Sequence, residues 1–268
     1  MAGRPIVTLL TDFGLHDPFV GIMKGIILGR CPDAQVVDLC HELPPHDILG
    51  AGFLLQTAAR YFPPETIYVA VVDPGVGGAR RALLAEIDGQ RFLAPDNGLL
   101  SHVLAAASRC RVRALAAAEH WLHPVSATFH GRDVFAPVAG RLAAGMSPEA
   151  FGPEVRDPVR REIPQPCVDD LGRLVGQVVW IDRFGNCITN IAQRDLERWS
   201  GSGKSGIRIL AKDRPLGWLV ACFEAVGRGE GGAVLGSTGH VELFVNQGHC
   251  AQVCGLGSGD PIVLMTDR

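Results

Sequence analysis

The chain has 268 residues, of which 47% are hydrophobic and 20% charged, and its formal net charge at pH 7 is -3. This length accommodates one large domain or two, and the composition is that of a globular protein rather than a disordered one. The slight acidic excess gives no electrostatic case for a nucleic-acid partner, and without a basic run or about 18 consecutive apolar residues no membrane partner is expected.

The first part of the chain alternates between strand-like and helical segments. Strands are predicted at 5–10, 35–39 and 66–72, and helices at 17–30 and 47–61. This β-α-β-α-β order indicates a parallel sheet with helices on its faces. After a glycine-rich turn, Asp88-Gly89 between two apolar segments predicts a hairpin, and further helices are predicted at 99–107 and 134–144.

The composition changes after Gly145. Residues 147–168 hold many prolines and charges and show little periodicity, which is typical of a linker. Beyond them, short apolar segments separated by turns are typical of a small antiparallel sandwich or barrel. We therefore expect an α/β N-terminal domain at 1–146, with a mostly parallel sheet flanked by helices, and a smaller all-β C-terminal barrel or sandwich at 169–268.

The cysteine pattern indicates no disulfide framework. Six of the eight cysteines are isolated, and the spacing of Cys250 and Cys254 is not a usual zinc or redox spacing. The N-terminal segment lacks the long apolar stretch of a signal peptide. We expect reduced thiols and a cytoplasmic protein.

A glycine-rich turn at 71–81 follows the third predicted strand. The strand would deliver Asp73 to its carboxyl end, and the three glycines after it would let a ligand approach the backbone closely. In open α/β sheets ligands bind at that rim. The alternative is a plain turn, with Arg80 and Arg81 as surface residues.

Other short patterns give little support to common enzyme classes. Residues 201–205 resemble the end of a phosphate-binding loop, but Arg198 stands where that loop needs a glycine. His120 and His123 are not in the order of a zinc protease, and we expect a surface or partly packed pair. The chain has no Gly-x-Ser-x-Gly elbow, and no dinucleotide-binding glycine motif follows the first strand.

Polar residues stand at the ends of several predicted elements. An acid, a base-capable histidine and an arginine at one sheet edge could hold and deprotonate a water molecule. Taken singly, His130 fits a helix cap better than a catalytic role, and Asn186 fits a turn better.

Five short motifs follow one another along the chain: Thr11-Asp12-Phe13-Gly14, Val72-Asp73-Pro74-Gly75-Val76-Gly77, Ala94-Pro95-Asp96-Asn97-Gly98-Leu99-Leu100, Thr128-Phe129-His130-Gly131-Arg132-Asp133 and Asp182-Arg183-Phe184-Gly185-Asn186. In this order they resemble the S-adenosyl-L-methionine (SAM) hydroxide adenosyltransferases, the adenosine-forming SAM hydrolases related to fluorinase and chlorinase. The resemblance covers nearly the whole chain. It implies hydrolysis of SAM to adenosine and L-methionine without a metal or cofactor. It also implies a homotrimer with each site between one subunit's N-terminal domain and a neighbour's C-terminal barrel.

The resemblance also implies roles for individual residues. The implied catalytic set, which handles the attacking water, is Asp73, Arg80 and His130. The implied substrate-binding set is Asp12 on both ribose hydroxyls, Phe184 and Phe223 on the adenine faces, Asn186 on an adenine edge, Asp17, Asp182 and Ser237 near the methionine amine and carboxylate, and Phe13 and Asn246 as further contacts.

The halogenating relatives carry a tyrosine at the place of Asp73 and lack the His-Gly pair found here at 130–131. A carboxylate there would repel a halide, whereas it suits a water molecule that must lose a proton. The sequence therefore favours a hydrolase. The alternatives are a chloride-using SAM halogenase and a non-catalytic SAM or adenosine sensor.

Overall fold

The computed structural model describes residues 3–201 and 206–266, and the chain divides into two compact units between Ile163 and Pro164. This division lies inside the stretch predicted as a linker, while the predicted domain bounds stay predictions. Residues 202–205 of the segment that resembles a phosphate-binding loop lie outside the described residues. Within the described ranges, no helix combines the length and the apolar character needed to cross a bilayer.

The first unit alternates strands and helices as the sequence predicts. Its elements are β1 (Ile6–Thr11), α1 (Phe19–Arg30), β2 (Gln35–Cys40), α2 (Ile48–Ala59), β3 (Ile67–Val71), β4 (Ala82–Ile87), β5 (Gln90–Pro95), α3 (Ser101–Ala106), β6 (Cys110–Ala114), a π-helical turn (Gly131–Phe135) and α4 (Ala136–Ala143). Short 3₁₀ turns lie at Ala118–His120 and Pro148–Phe151.

The sheet of the first unit has the order β2-β1-β3-β5-β4-β6. The first four strands in that order pair in parallel, and β4 and β6 pair antiparallel, so the predicted mostly parallel sheet is confirmed. The predicted hairpin joins β4 to β5, with positive φ at both Asp88 and Gly89. Thr11 pairs with Val71 at the carboxyl ends of β1 and β3, so the residues that follow these strands emerge at one edge.

Burial explains the apolar runs of this unit. Every residue of β3 is buried, as expected for a central parallel strand that is covered on both faces. Helix α1 contributes Val20, Met23 and Ile27 to the same core. Helix α2 begins after Asp47, whose Oδ1 accepts a hydrogen bond from Gly50 N at 2.9 Å.

In its described residues, the second unit is all-β apart from three short helical segments. Its elements are β7 (Cys167–Val168), β8 (Leu174–Ile181), β9 (Cys187–Ala192), α5 (Gln193–Ser200), β10 (Ile207–Ala211), β11 (Arg214–Trp218), a 3₁₀ turn (Phe223–Ala225), β12 (Gly231–Leu235), β13 (His240–Val245), α6 (Cys250–Cys254) and β14 (Pro261–Thr266).

These strands form a nearly closed barrel. The order is β11-β10-β14-β8-β9-β13-β12, with β7 beside β8, and all the strand pairs are antiparallel. The two outer strands approach each other through a bridge between Leu219 and Ala233. A β-carbon at Gly217 would overlap the carbonyl of Gly231, so the approach requires glycine there. The predicted C-terminal barrel is confirmed.

An ion pair between the buried Asp96 and the partly exposed Arg81 holds residues 157–161 against the sheet of the first unit. Arg81 Nε donates to Asp96 Oδ2 at 2.6 Å, and the other oxygen of Asp96 accepts Val159 N at 2.7 Å. The Asp96 side chain is 3% exposed. The same guanidinium also contacts Asp157, whose side chain is 83% exposed.

We predict that Asp96→Ala lowers the free energy of unfolding by about 2 kcal/mol, because the half-exposed Arg81 and the backbone of Val159 both lose their acceptor. Asp157→Ala is the matched control on the same arginine, and it should cost far less because that carboxylate is already in water. Urea unfolding followed by circular dichroism measures both. Equal losses of unfolding free energy in the two variants would contradict the role given to Asp96.

Candidate active site

The carboxylate of Asp73, the guanidinium of Arg80 and the imidazole of His130 form one connected group. Arg80 Nε lies 3.0 and 2.9 Å from the two oxygens of Asp73, and Nη2 of the same guanidinium also contacts Oδ2. Nη2 donates to His130 Nδ1 at 2.8 Å. The Asp73 and Arg80 side chains are only 4% and 12% exposed. Of the two adjacent arginines, Arg80 is therefore the one in this group, while Arg81 pairs with Asp96.

The close contact of two loops brings these three residues together. Gly77, in the turn after β3, has a φ of +76°, and a β-carbon there would overlap the Ala127 carbonyl. Glycine is therefore required both for the backbone conformation and for the contact. The turn that carries Asp73 and Arg80 thus packs against the segment that leads to His130.

A second set of contacts fixes the segment around His130. The π-helical turn begins at Gly131, where a β-carbon would lie 3.1 Å from both Met23 Sδ and Phe129 Cε2. The buried carboxylate of Asp133 accepts Ser126 N at 2.8 Å and Arg132 Nε at 2.7 Å. Single-turn π-helical insertions recur at functional sites because they re-aim side chains. The predicted helix at 134–144 thus begins with a π-helical turn before α4.

The protonation of His130 follows from its neighbours. Burial, and then the positive charge of Arg80, lowers the pKa of His130 below its usual value, while Asp73, Asp133 and the Ser126 backbone act in the opposite direction. Because a guanidinium can only donate, the Nδ1 atom that faces Arg80 carries no proton. Neutral His130 then carries its proton on Nε2.

Asp12 follows β1 at the same sheet edge as Asp73. It is partly buried, and its Oδ2 accepts His46 N at 3.0 Å. The residue before it, the buried Thr11, begins a chain of side-chain contacts that runs through the buried His41 to the exposed Asp38. Thr11 Oγ1 and His41 Nδ1 are 2.8 Å apart, and His41 Nε2 lies 3.0 Å from Asp38 Oδ1.

No sequence motif marked His41 as a residue of the candidate site. Its side chain is 2% exposed, and Gly14 N donates to its carbonyl at 2.8 Å, so it holds the segment that carries Asp12 from two sides. Burial acts to raise the pKa of Asp38, but hydrogen bonds from Lys24 and His41 outweigh it and lower this pKa. A histidine directly after an apolar strand was the available sequence signal.

Phe13 and Asp17 make their described contacts outside the group formed by Asp73, Arg80 and His130. Phe13 packs edge-to-face with Phe19 and Phe129, at centroid distances of 6.1 and 5.9 Å. Asp17 is exposed, and its ion-pair contact is His16 at 3.8 Å. Phe13 therefore belongs to the aromatic cluster under Gly131, while no described contact joins Asp17 to the group around Arg80.

In the second unit, Asp182, Phe184 and Asn186 form one tight turn. Asp182 Oδ1 accepts Phe184 N at 2.9 Å and Asn186 N at 2.8 Å. The Asn186 side chain donates to Glu242 Oε1 at 3.0 Å and lies 3.3 Å from Asp182 Oδ2. Phe184 projects from the turn with 75% of its surface exposed. Glu242 is a further residue that the sequence analysis did not identify.

The remaining candidates of this unit lie on neighbouring loops. Phe223 is 43% exposed and packs edge-to-face on Phe244 at 4.8 Å. The Asn246 side chain donates to the Val226 carbonyl at 2.7 Å, so its amide nitrogen supports a loop. Ser237 is exposed in the turn before β13.

The described residues contain no group of three or more His, Cys, Asp or Glu side chains placed to hold a metal ion. The two histidines considered as metal ligands have other partners. His120 packs edge-to-face on Phe151 at 5.1 Å, and His123 Nε2 lies 2.8 Å from the Ala118 carbonyl. The partly packed pair expected from the sequence is confirmed.

We predict that Arg80→Met raises the pKa of His130, because the nearby cation is lost and Asp73 becomes an unpaired anion. Arg81→Met is the matched control and should leave this pKa unchanged, since Arg81 faces Asp96. Imidazole proton shifts recorded against pH measure it, with His130→Gln to assign the signal. Because the folded pKa is below about 6.5, stability should be full above that pH and fall as the pH drops through the window between 6.5 and the folded value. An unchanged His130 pKa in Arg80→Met would contradict the contact.

Models of one protein family match most of the chain. Models of the SAM hydroxide adenosyltransferase N-terminal and C-terminal domains match residues 7–152 and 176–263. The chain is 39% identical to an (R)-S-adenosyl-L-methionine hydrolase of Thermus thermophilus, over 98% of this chain and 100% of that protein. It is 29% identical to a fluorinase of Nocardia brasiliensis, over 96% of this chain and 95% of that protein.

A solved structure has the same fold. The crystal structure of an uncharacterized conserved protein from Thermotoga maritima superposes with a TM-score of 0.91 at 32% identity, covering 96% of this chain and 99% of that one. The two family models together match more than half of the residues, in the order expected from the five sequence motifs. This chain therefore belongs to the SAM hydroxide adenosyltransferase family.

Proposed function

We propose that this protein hydrolyses SAM to adenosine and L-methionine. The observation that carries the proposal is the Asp73 carboxylate, held by Arg80 in one group with His130. The (R)-S-adenosyl-L-methionine hydrolase relatives support the same reaction. Their name specifies the (R) configuration at sulfur, and we propose that epimer as the preferred substrate.

The proposed reaction is a displacement at the 5′ carbon of the ribose. A water oxygen forms a bond to that carbon while the bond from carbon to sulfur breaks, and the bonding pair leaves with the sulfur. The sulfonium thereby becomes the neutral thioether of methionine, and the water loses one proton to give the 5′ hydroxyl of adenosine. The sulfonium is a good leaving group because it becomes neutral as it departs. Alignment of water, carbon and sulfur therefore supplies much of the acceleration.

Asp73 is the proton acceptor in this proposal. His130 cannot take a proton on Nδ1 while Arg80 donates to it, and its other nitrogen already carries one. A carboxylate has about four acceptor positions, so Asp73 can bind Arg80 and still accept from a water. Arg80 holds Asp73, and Arg80 and His130 add donors around the developing hydroxide.

The substrate-binding roles implied by the family are part of the proposal. Asp12 would bind the ribose hydroxyls, with Phe13 packed beside it. In the second unit, Phe184 and Phe223 offer exposed rings for the adenine faces, as stacking requires. The other proposed contacts are Asn186 on the adenine edge, Asp17, Asp182 and Ser237 near the methionine group, and Asn246 as a further substrate contact. The reaction as proposed uses no cofactor.

We also propose a homotrimer, as the family resemblance implies. The proposed substrate contacts are divided between the two units of the chain, and sites between subunits would use both sets. Sedimentation velocity tests this part independently of the chemistry, and a monomer at assay concentrations would contradict it.

We predict that incubation with (R)-SAM in ¹⁸O-labelled water yields methionine and adenosine labelled at the 5′ hydroxyl, with the (S) epimer turned over more slowly. Liquid chromatography with mass spectrometry measures both products. Excess chloride is included in a parallel reaction. 5′-Chloro-5′-deoxyadenosine as product would instead identify a halogenase, and bound nucleoside without turnover would identify a sensor.

We predict that Asp73→Asn and His130→Ala each lower the rate of adenosine release by at least about 100-fold. This is the scale of general acid–base catalysis for Asp73 and of a lost donor to the developing hydroxide for His130. The affinity for adenosine, measured by titration calorimetry, should change little because neither residue is assigned to the nucleoside. Asp157→Asn is the control, since its carboxylate is exposed. Full turnover in Asp73→Asn would remove this residue from the chemistry.

A further inference from the structure

Glu242 on β13 is the one buried charged residue in the described part of the second unit. Its side chain occupies space that Gly236 leaves open, because a β-carbon at 236 would overlap Glu242 Oε2. Burial and the neighbouring Asp182 raise the pKa of Glu242. A buried carboxyl group costs free energy, and its partner here is a single side-chain amide, that of Asn186.

Two carboxylates, Glu242 at the shorter distance and Asp182 at the longer one, determine which way this amide faces. Asn186 Nδ2 lies 3.0 Å from Glu242 Oε1 and 3.3 Å from Asp182 Oδ2. Carboxylate oxygens only accept hydrogen bonds, so the donating nitrogen must be the end that faces them. The reverse orientation would place the carbonyl oxygen of the amide against two carboxylates.

The other end of the amide is left as an acceptor. Asn186 Oδ1 accepts no hydrogen bond from any residue in the described ranges, and the backbone of Asn186 is fixed because its N–H donates to Asp182 Oδ1 at 2.8 Å. The exposed ring of Phe184 lies two residues away in the same turn. A planar ligand stacked there would meet a hydrogen-bond acceptor.

We propose that Glu242 is a positioning residue that fixes Asn186 as an acceptor and so selects a 6-amino purine over a 6-oxo purine. This inference rests on the proposed function, in which Asn186 contacts the adenine edge. Adenine presents donor hydrogens on its 6-amino group, whereas hypoxanthine presents an acceptor oxygen there. Two facing acceptors repel, and a site built around one hydrogen bond rejects the analogue that cannot make it.

The first test uses the unmodified protein and needs no variant to fold. Titration calorimetry compares adenosine with inosine and with purine riboside, which carries only hydrogen at position 6. We expect adenosine to bind most tightly, purine riboside less tightly and inosine most weakly, with at least about a tenfold range, which corresponds to one hydrogen bond of moderate strength. Equal affinity for adenosine and inosine would overturn the inference.

The second test changes Glu242 itself. In Glu242→Gln the new amide can donate as well as accept, so the nearer partner no longer excludes the turned amide, in which Asn186 presents its nitrogen to the base. Asp182 Oδ2 remains as an acceptor for Asn186 Nδ2, at the longer distance of 3.3 Å. We expect the ratio of kcat/KM for SAM to that for its 6-oxo analogue, S-inosyl-L-methionine, to fall about tenfold. A variant that is only less stable loses active protein equally for both substrates, and its ratio does not move.

Matched controls separate positioning from stability. Glu197→Gln changes a carboxylate on the surface helix α5 of the same unit and should leave the ratio unchanged. In an Asn186→Ala background, Glu242→Gln should alter the ratio no further, since the residue acts through the amide. Glu242→Met, which fills a similar volume, serves as a second variant and should shift the ratio in the same direction.

The outcomes also distinguish this inference from the proposed function. A protein that prefers adenosine to inosine but releases no adenosine from SAM would contradict the hydrolase assignment and leave the inference standing. SAM hydrolysis with an unchanged substrate ratio in both Glu242 variants would overturn the inference alone.

Discussion

The guanidinium of Arg80 is the interaction on which the candidate site depends. It binds a carboxylate on one side and an imidazole nitrogen on the other, and these two partners come from segments 57 positions apart in the chain. A planar cation with several fixed donors can make both contacts at once, which a lysine could not do in this geometry. The contact of Gly77 with the Ala127 carbonyl brings the two segments close enough for this bridge.

This arrangement also sets the local charge. With Asp73 ionised, Arg80 positive and His130 neutral, the three side chains sum to zero. The proposed substrate is a sulfonium cation. A protonated His130 would give the three side chains a net positive charge beside it. The lowered pKa of His130 therefore serves the proposed chemistry, because it keeps the site from repelling a cation.

The same physical device recurs in the other polar clusters. Histidine and asparagine are ambiguous groups, since each has ring or amide atoms that can be placed in two ways. Arg80 removes the ambiguity at His130 because it can only donate, and Glu242 removes it at Asn186 because a carboxylate can only accept. Behind Asp12, the carboxylate of Asp38 does the same for His41. In each cluster, polar partners give one atom a defined role as hydrogen-bond donor or acceptor.

Local patterns predicted the order of strands and helices in the first unit, the hairpin at Asp88-Gly89 and the barrel or sandwich, because periodicity and turn chemistry act over a few residues. The motifs also identified the family, and the resemblance already placed Arg80 in the catalytic set. That Arg80 rather than Arg81 contacts Asp73 was visible only in the folded chain, since a glycine-rich turn has no periodicity that would set the direction of either side chain. The tertiary structure also placed Glu242 beside Asn186, a contact 56 residues apart in sequence that follows from the pairing of β13 with β9. Contacts of this kind depend on which strands are neighbours. The alternating pattern of a strand sets which face is buried, but it does not specify a neighbour that lies far away in the chain.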